Sequence, residues 1–238
     1  MHAKRLLAVW AHPDDEAFGP VGTMRLAHDR GWRTAVITAT RGDAGNDDAA
    51  DLAPGQTLGD LREHELRCSA EVLGIERIDV WRHPDGGLQN LPPGLLAEQV
   101  LEVMRDWQPT IVLTFGPDGI TGHPDHLAIH DATEQAFARY RAECQTERPP
   151  RLYYVTIRPK RTIEHPMGAA PPHAPPTAVL DVSAYEQIKR DALSCHASQR
   201  ADWEPLLADR DWLTIDRLFR AFPPAAPNAP PETTIFDE

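Results

Sequence analysis

Short apolar, β-branched runs that alternate with longer helical stretches predict an α/β fold, a single-domain Rossmann-like parallel sheet of about five strands with helices on both faces. Three observations carry this. Leu6 to Trp10, Thr34 to Thr38, Ile78 to Trp81, Ile111 to Phe115 and Leu152 to Ile157 read as strands. Between them, about Val21 to Arg30, Leu61 to Leu73, Pro93 to Trp107 and Pro124 to Ala142 show helical spacing. Gly31 and Gly74 then stand where such helices end, as glycines do when they cap a helix C-terminus.

After Ile157 the pattern changes. Pro159 to Pro176 is proline-rich and reads as a loop or lid. A C-terminal helical extension follows, with helices expected at about Ala184 to Gln199 and Leu213 to Ala221. The tail, Pro223 to Glu238, is proline-rich and acidic and is expected to be loosely held. The 238 residues thus divide into a domain over 1–222 and a tail over 223–238, with no internal repeat.

Composition excludes several classes. Lys and Arg total 24 against 36 Asp and Glu, a formal charge of −12, which repels phosphate backbones and anionic lipid. Nucleic acid and membrane are therefore not expected partners. Met1 to Trp10 holds too short an apolar run for a signal peptide, and no stretch approaches the roughly 20 apolar residues of a membrane span. A cytoplasmic location is expected. Cys68, Cys144 and Cys195 are odd in number, far apart and without C-x-x-C spacing, so they read as reduced and structural. Cys195 next to His196 could suggest a nucleophile pair, but sequence neighbours on a helix point in different directions, so it reads as core packing.

Chemistry gathers in two loops. The first strand runs into Ala11-His12-Pro13-Asp14-Asp15-Glu16, and the fourth into Gly116-Pro117-Asp118-Gly119-Ile120-Thr121-Gly122-His123-Pro124-Asp125-His126. In the strand order 3-2-1-4-5 these two strands are neighbours, and ligands bind at the carboxyl ends where the build-out direction reverses. His12, Asp15 and His126 then offer a three-ligand nitrogen and oxygen set that leaves room for water, the pattern of catalytic zinc. Asp14 would act as base towards a metal-activated water, and His123 would donate to the oxyanion and the leaving amine. The alternative is that the aspartates merely cap the next helix and the histidines are turn residues. A third His-Pro-Asp, His83-Pro84-Asp85, reads mainly as a turn.

His12-Pro13-Asp14-Asp15-Glu16 and His123-Pro124-Asp125-His126 resemble the paired signatures of the LmbE/PIG-L-like zinc deacetylases. The likeness extends through Thr40-Arg41-Gly42, Leu61-Arg62-Glu63-His64-Glu65, Leu73-Gly74, Lys189, Ala192 and His196-Ala197-Ser198-Gln199. It implies an enzyme that removes acetyl from an N-acetylglucosamine conjugate, a small-molecule amino-sugar substrate. Enzymes of this family are often homo-oligomers. It also implies Zn2+, with Fe2+ as the alternative ion, held by His12, Asp15 and His126, with Asp14 as base and His123 as electrophile or acid held by Asp125. Arg62 matches an arginine that reaches toward substrate; read from the residues alone, an arginine on an acidic helix is equally a salt-bridge former. His196 lies in a family motif but reads as a hydrogen-bonded core residue. Some members carry a tyrosine just before the second signature, where this chain has Ile120-Thr121-Gly122, so that role does not carry over.

Two rival readings stand beside this one. An iron(II) oxygenase also uses two histidines and a carboxylate, but would have no need of the spare Asp14. A module that holds metal and sugar without turnover would need neither Asp14 nor His123. The aglycone would be read by loops such as Gly45 to Leu58 and Pro159 to Pro176.

Overall fold

The computed structural model describes residues 4–46, 52–145, 148–157, 164–165, 168–169 and 175–236. Among them the strands are β1 (Arg5–Trp10), β2 (Arg33–Thr40), β3 (Arg77–His83), β4 (Ile111–Phe115), β5 (Arg151–Val155), β6 (Glu164–His165), β7 (Gly168–Ala169), β8 (Ala178–Asp181) and β9 (Ile215–Phe222). The helices are α1 (Asp15–Phe18), α2 (Val21–Asp29), α3 (Leu58–Leu73), α4 (Leu95–Trp107), α5 (Gly119–Gly122), α6 (Pro124–Glu143), α7 (Glu186–Cys195), α8 (Arg200–Trp203) and α9 (Arg210–Thr214). Seven strands form one sheet in the order β3-β2-β1-β4-β5-β9-β8, and β6 pairs with β7. The expected 3-2-1-4-5 core is present, and the strand count is seven rather than five.

The chain forms two compact units, the first from Met1–Val9, Gly87–Val179 and Arg217–Glu238, the second from Trp10–Gly86 and Leu180–Asp216. In the first, β4 is parallel to both β1 and β5, with Leu6 opposite Ile111 and Leu113 opposite Tyr153. Leu6, Leu7, Ala8, Ile111, Val112 and Leu113 are completely buried. This is why these strands read as unbroken apolar runs: a parallel sheet covered on both faces has no solvent side to alternate with.

In the second unit β2 and β3 are parallel. Ala17, Val21, Leu73, Ala192, Leu193 and Trp203 form a buried cluster there. Helix α3 starts earlier than its apolar spacing suggests, because Thr57 and Asp60 form a reciprocal capping box: each side chain accepts the other's backbone N–H at 3.1 Å. It stops at Gly74, whose φ of 71° caps the helix end.

Three expectations are corrected. Leu213 to Ala221 is not a helix; α9 ends at Thr214 and β9 pairs antiparallel with β5, with Phe219 opposite Tyr154. The open edge of β5 supplies ladder partners, and tertiary pairing overrides the helical propensity of Leu, Arg and Ala. The tail is anchored: Glu232 exchanges backbone hydrogen bonds with Thr177 and Val179 at 2.8 Å and receives Arg220 at 2.7 Å, and Ile235 and Phe236 are buried. The cysteines are not all reduced. Cys68 and Cys195 form a disulfide between α3 and α7, with Cα atoms 5.7 Å apart; a separation of 127 residues hid the pairing. The expected lid over Pro159 to Pro176 falls largely outside the described residues. No described helix is long and apolar enough to cross a membrane.

The disulfide closes a long loop, so reduction or Cys68→Ser should cost about 2–5 kcal/mol by restoring unfolded-chain entropy. Thermal unfolding of the wild type with and without dithiothreitol, beside Cys68→Ser, measures this. The reductant should lower Tm in the wild type and leave the variant unmoved.

Candidate active site

The loop after β1 belongs to the second unit. Asp15 opens α1, and its Oδ2 accepts the backbone N–H groups of Ala11 at 3.1 Å and His12 at 2.8 Å while lying 3.7 Å from His12 Nδ1. Asp14 has a φ of 114°, backbone that a residue with a Cβ rarely adopts. Three contacts hold it. Arg62 donates to Asp14 Oδ2 at 2.9 Å and to the Pro13 carbonyl at 2.6 Å, and Glu16 Oε2 accepts the Asp14 N–H at 3.0 Å. Adjacent carboxylates thus part company in one turn, Asp15 towards the backbone of the loop and Asp14 towards Arg62.

Arg62 is only 4% exposed, and its third contact is the Gly42 carbonyl at 3.0 Å. A Cβ on Gly42, at φ 69°, would come within 2.4 Å of the guanidinium, so glycine is required on both grounds. Arg62 therefore ties the loop after β1, helix α3 and the loop after β2 together behind Asp14.

Glu16 and His196 are fully buried, with Oε1 and Nε2 2.6 Å apart. Burial would raise the Glu16 carboxyl, but the charge and hydrogen bond of His196 outweigh it and hold Glu16 below its ordinary value. Burial likewise works to lower His196, and Glu16 overcomes it, so the imidazole is raised. Burial pushes Asp14 up to about 7 against the opposing charge of Arg62, with Asp15 adding to the rise. Burial also raises Asp15, opposed by His12. Two further residues of the family-like His196-Ala197-Ser198-Gln199 run complete the support. Glu65 accepts the N–H and hydroxyl of Ser198 at 2.8 and 2.7 Å, and Gln199 donates to the Asn46 carbonyl at 2.8 Å.

Sequence reasoning passed over Asp85. Its Oδ1 lies 3.0 Å from His12 Nε2 and its Oδ2 accepts the Ala44 N–H at 2.8 Å. Burial alone would raise this carboxyl, yet His12 and the amide bring it down to about 2. The signal was present as a third His-Pro-Asp following a strand, at the same end of the parallel pair β2 and β3 as Thr40-Arg41-Gly42.

The first unit carries the other histidines. His123 is the N-cap of α6, with Pro124 in the first turn where a missing N–H costs nothing. Its Nδ1 accepts the Asp125 N–H at 3.2 Å, so the proton of the neutral ring sits on Nε2 and can be donated. Asp125 is fully buried and its carboxylate accepts the Leu88 N–H at 3.0 Å. His126 has the opposite arrangement. Its Nδ1 lies 2.9 Å from the Gly119 carbonyl, which requires Nδ1–H and leaves the lone pair on Nε2, the form of a metal ligand. The ring is stacked on Phe115, with centroids 3.9 Å apart, and lies 5.1 Å from that of His123. His130 bonds the Phe115 carbonyl at 2.9 Å, bracing the end of β4.

One turn brings together His12, Asp14 and Asp15 with Arg62, and one helix N-terminus brings together His123, Asp125 and His126. Residues 7–137, which span both loops, match the model of the PIG-L family, described as GlcNAc-PI de-N-acetylase. The chain belongs to this family. Among PIG-L relatives, the 1D-myo-inositol 2-acetamido-2-deoxy-alpha-D-glucopyranoside deacetylase of Thermobifida fusca is 30% identical over 243 residues, covering 84% of this chain and 85% of its own. A probable N-acetyl-alpha-D-glucosaminyl L-malate deacetylase 2 of Bacillus anthracis is 30% identical over 199 residues, covering 83% and 82%. The fold is shared with the N,N'-diacetylchitobiose deacetylase of Pyrococcus horikoshii, with a TM-score of 0.69 at 20% identity over 92% of this chain and 84% of that one.

Gly42→Ala tests the packing behind Asp14. The left-handed backbone and the clash with Arg62 together should destabilise by about 1–3 kcal/mol. Urea unfolding compared with wild type gives the value, and a loss within a few tenths of a kcal/mol would show that Arg62 is free to move aside.

Proposed function

We propose that the chain is a metal-dependent hydrolase that removes the N-acetyl group from an N-acetylglucosamine conjugate, with His12, Asp15 and His126 as metal ligands. The observation that carries this reading is the pair of adjacent aspartates sent in different directions by one strained turn. A site that only bound metal would need one of them.

Imidazole and carboxylate donors suit Zn2+, and Fe2+ is the alternative occupant of the same set. The donors fit such an ion: the Gly119 carbonyl commits His126 to the tautomer with a lone pair on Nε2, and Asp15 is a buried carboxylate next to His12. β1 and β4 pair in parallel, and in such sheets ligands bind at the carboxyl ends of the strands. When bound, the ion supplies a Lewis acid for the acyl carbonyl and lowers the pKa of the attacking water.

The protein's own groups do the rest. Asp14 accepts the proton of the attacking water. His123, with its proton on Nε2, donates a hydrogen bond to the oxygen as the carbonyl becomes tetrahedral, and the proton that Asp14 has taken from the water passes to the leaving amine. Asp125 fixes His123 through its backbone N–H and anchors the helix start to Leu88 through its carboxylate. Arg62, buried behind Asp14, holds the base. The formal charge of −12 favours a neutral or modestly charged sugar over a polyanion, and the two relatives differ in aglycone, inositol in one and malate in the other.

Metal loss and rate loss should come apart. Asp14→Asn is expected to keep its metal and lower kcat by on the order of 10² to 10⁴, whereas Asp15→Ala and His126→Ala should purify with little metal. Elemental analysis together with acetate release from a panel of N-acetylglucosaminyl conjugates provides the check. Full metal occupancy in His126→Ala would remove the ligand assignment, and near-normal turnover in metal-replete Asp14→Asn would remove the base. Phosphate release without any free amine would remove the deacetylase reading itself.

A further inference from the structure

Glu16 and His196 form a buried polar pair for which the reaction above has no direct use. Neither side chain has any exposure, so neither can touch a substrate. Burying such a pair is costly compared with filling the same space with apolar groups, so its contacts should show what it is for. Glu16 uses both oxygens. Oε2 accepts the backbone N–H of Asp14 at 3.0 Å, and Oε1 lies 2.6 Å from His196 Nε2. The other ring nitrogen of His196, Nδ1, is buried and makes no hydrogen bond. All the polar bonding of that ring is thus committed to Glu16.

The ring is itself fixed from behind. Its residue closes α7, 180 positions along the chain from Glu16, and its carbonyl accepts the Trp203 indole N–H at 2.8 Å. Ser198, two residues further on, is tied to Glu65 on α3. The chain of contacts therefore runs from a rigid helix pair, through His196 and Glu16, to the one backbone N–H that Asp14 offers. That N–H belongs to the residue held at φ 114°. Arg62 grips the same residue from its carboxylate side and from the preceding carbonyl. Arg62 holds the carbonyl of the peptide before Asp14 and Glu16 holds its N–H, so that peptide is bonded at both its polar groups.

We infer that Glu16 and His196 are positioning residues for Asp14: the buried pair holds the Asp14 backbone in its left-handed conformation and thereby aims its carboxylate. This rests on Asp14 being the base.

A double-mutant cycle tests it. His196→Ala should lower kcat roughly 10- to 100-fold, with KM changed less than about threefold and metal content unchanged. In the Asp14→Asn background the same substitution should cost less than about twofold more, because a group that acts through Asp14 has nothing left to act on. Losses that multiply would overturn the inference. His196→Gln guards against simple misfolding, since its amide N–H can reach Glu16; kcat within about fivefold of wild type is expected, and a loss equal to that of the alanine variant would count against the pair. Amide hydrogen exchange in metal-free protein gives a readout independent of activity. Exchange across residues 13–17 should rise at least about tenfold in Glu16→Ala and in His196→Ala and stay near wild type in His196→Gln. Unchanged exchange in the two alanine variants would overturn the inference even if no substrate is ever turned over. Wild-type protein that releases no acetate while its exchange follows this pattern would instead locate the failure in the proposed reaction.

Discussion

Asp14 sits in a backbone conformation that side-chain-bearing residues avoid, and much of the second unit is arranged to hold it there. Left-handed backbone at a non-glycine residue persists only where several contacts over-determine it. Here the guanidinium of Arg62 holds the carboxylate and the carbonyl before it, while Glu16 holds the amide. Remove these and the two adjacent aspartates lose the reason to point apart. The other features of the unit follow from this need: glycine at 42 because Arg62 lies against it, and a buried imidazole at 196 because Glu16 needs a partner.

A second constraint acts in the first unit, where hydrogen bonds choose the tautomers of two neighbouring histidines. His123 accepts from an amide and His126 lies on a carbonyl. The same side chain is thereby given two chemical characters within one helical turn, a hydrogen-bond donor and a lone-pair donor. The stacking of Phe115 on His126 adds orientation. Such control from behind the rings distinguishes a prearranged pair of histidines from a cluster of histidines on a surface.

The cost of this arrangement is polar burial. Glu16, Glu65, Arg62, Asp125 and His196 are all withdrawn from water, and each is bonded within its own unit. A carboxylate withdrawn without such partners would shed its charge or its place in the fold. The Cys68–Cys195 disulfide joins the two helices that carry Glu65 and precede His196, so it restrains the same support in the unfolded chain as in the folded one.

The parallel β1, β4 and β5 core, the helices α2, α3, α4 and α6 to within a few residues of their starts, and the two His-Pro-Asp loops after β1 and β4 were legible in the residues themselves, because periodicity and turn chemistry are local. The imidazole and carboxylate residues of those loops could be named as candidate donors for the same local reason. What tertiary structure alone decided are relations across long stretches of chain. Residues 215–222 became a strand because β5 had an open edge, the tail was anchored because Glu232 met Thr177 and Val179, and Cys68 found Cys195 because α3 and α7 pack together. Asp85 beside His12, and His196 beside Glu16, belong to the same class. Spacing along a chain specifies which face of an element a residue occupies; which distant residue it meets there depends on how those faces close against one another, and no local pattern encodes that.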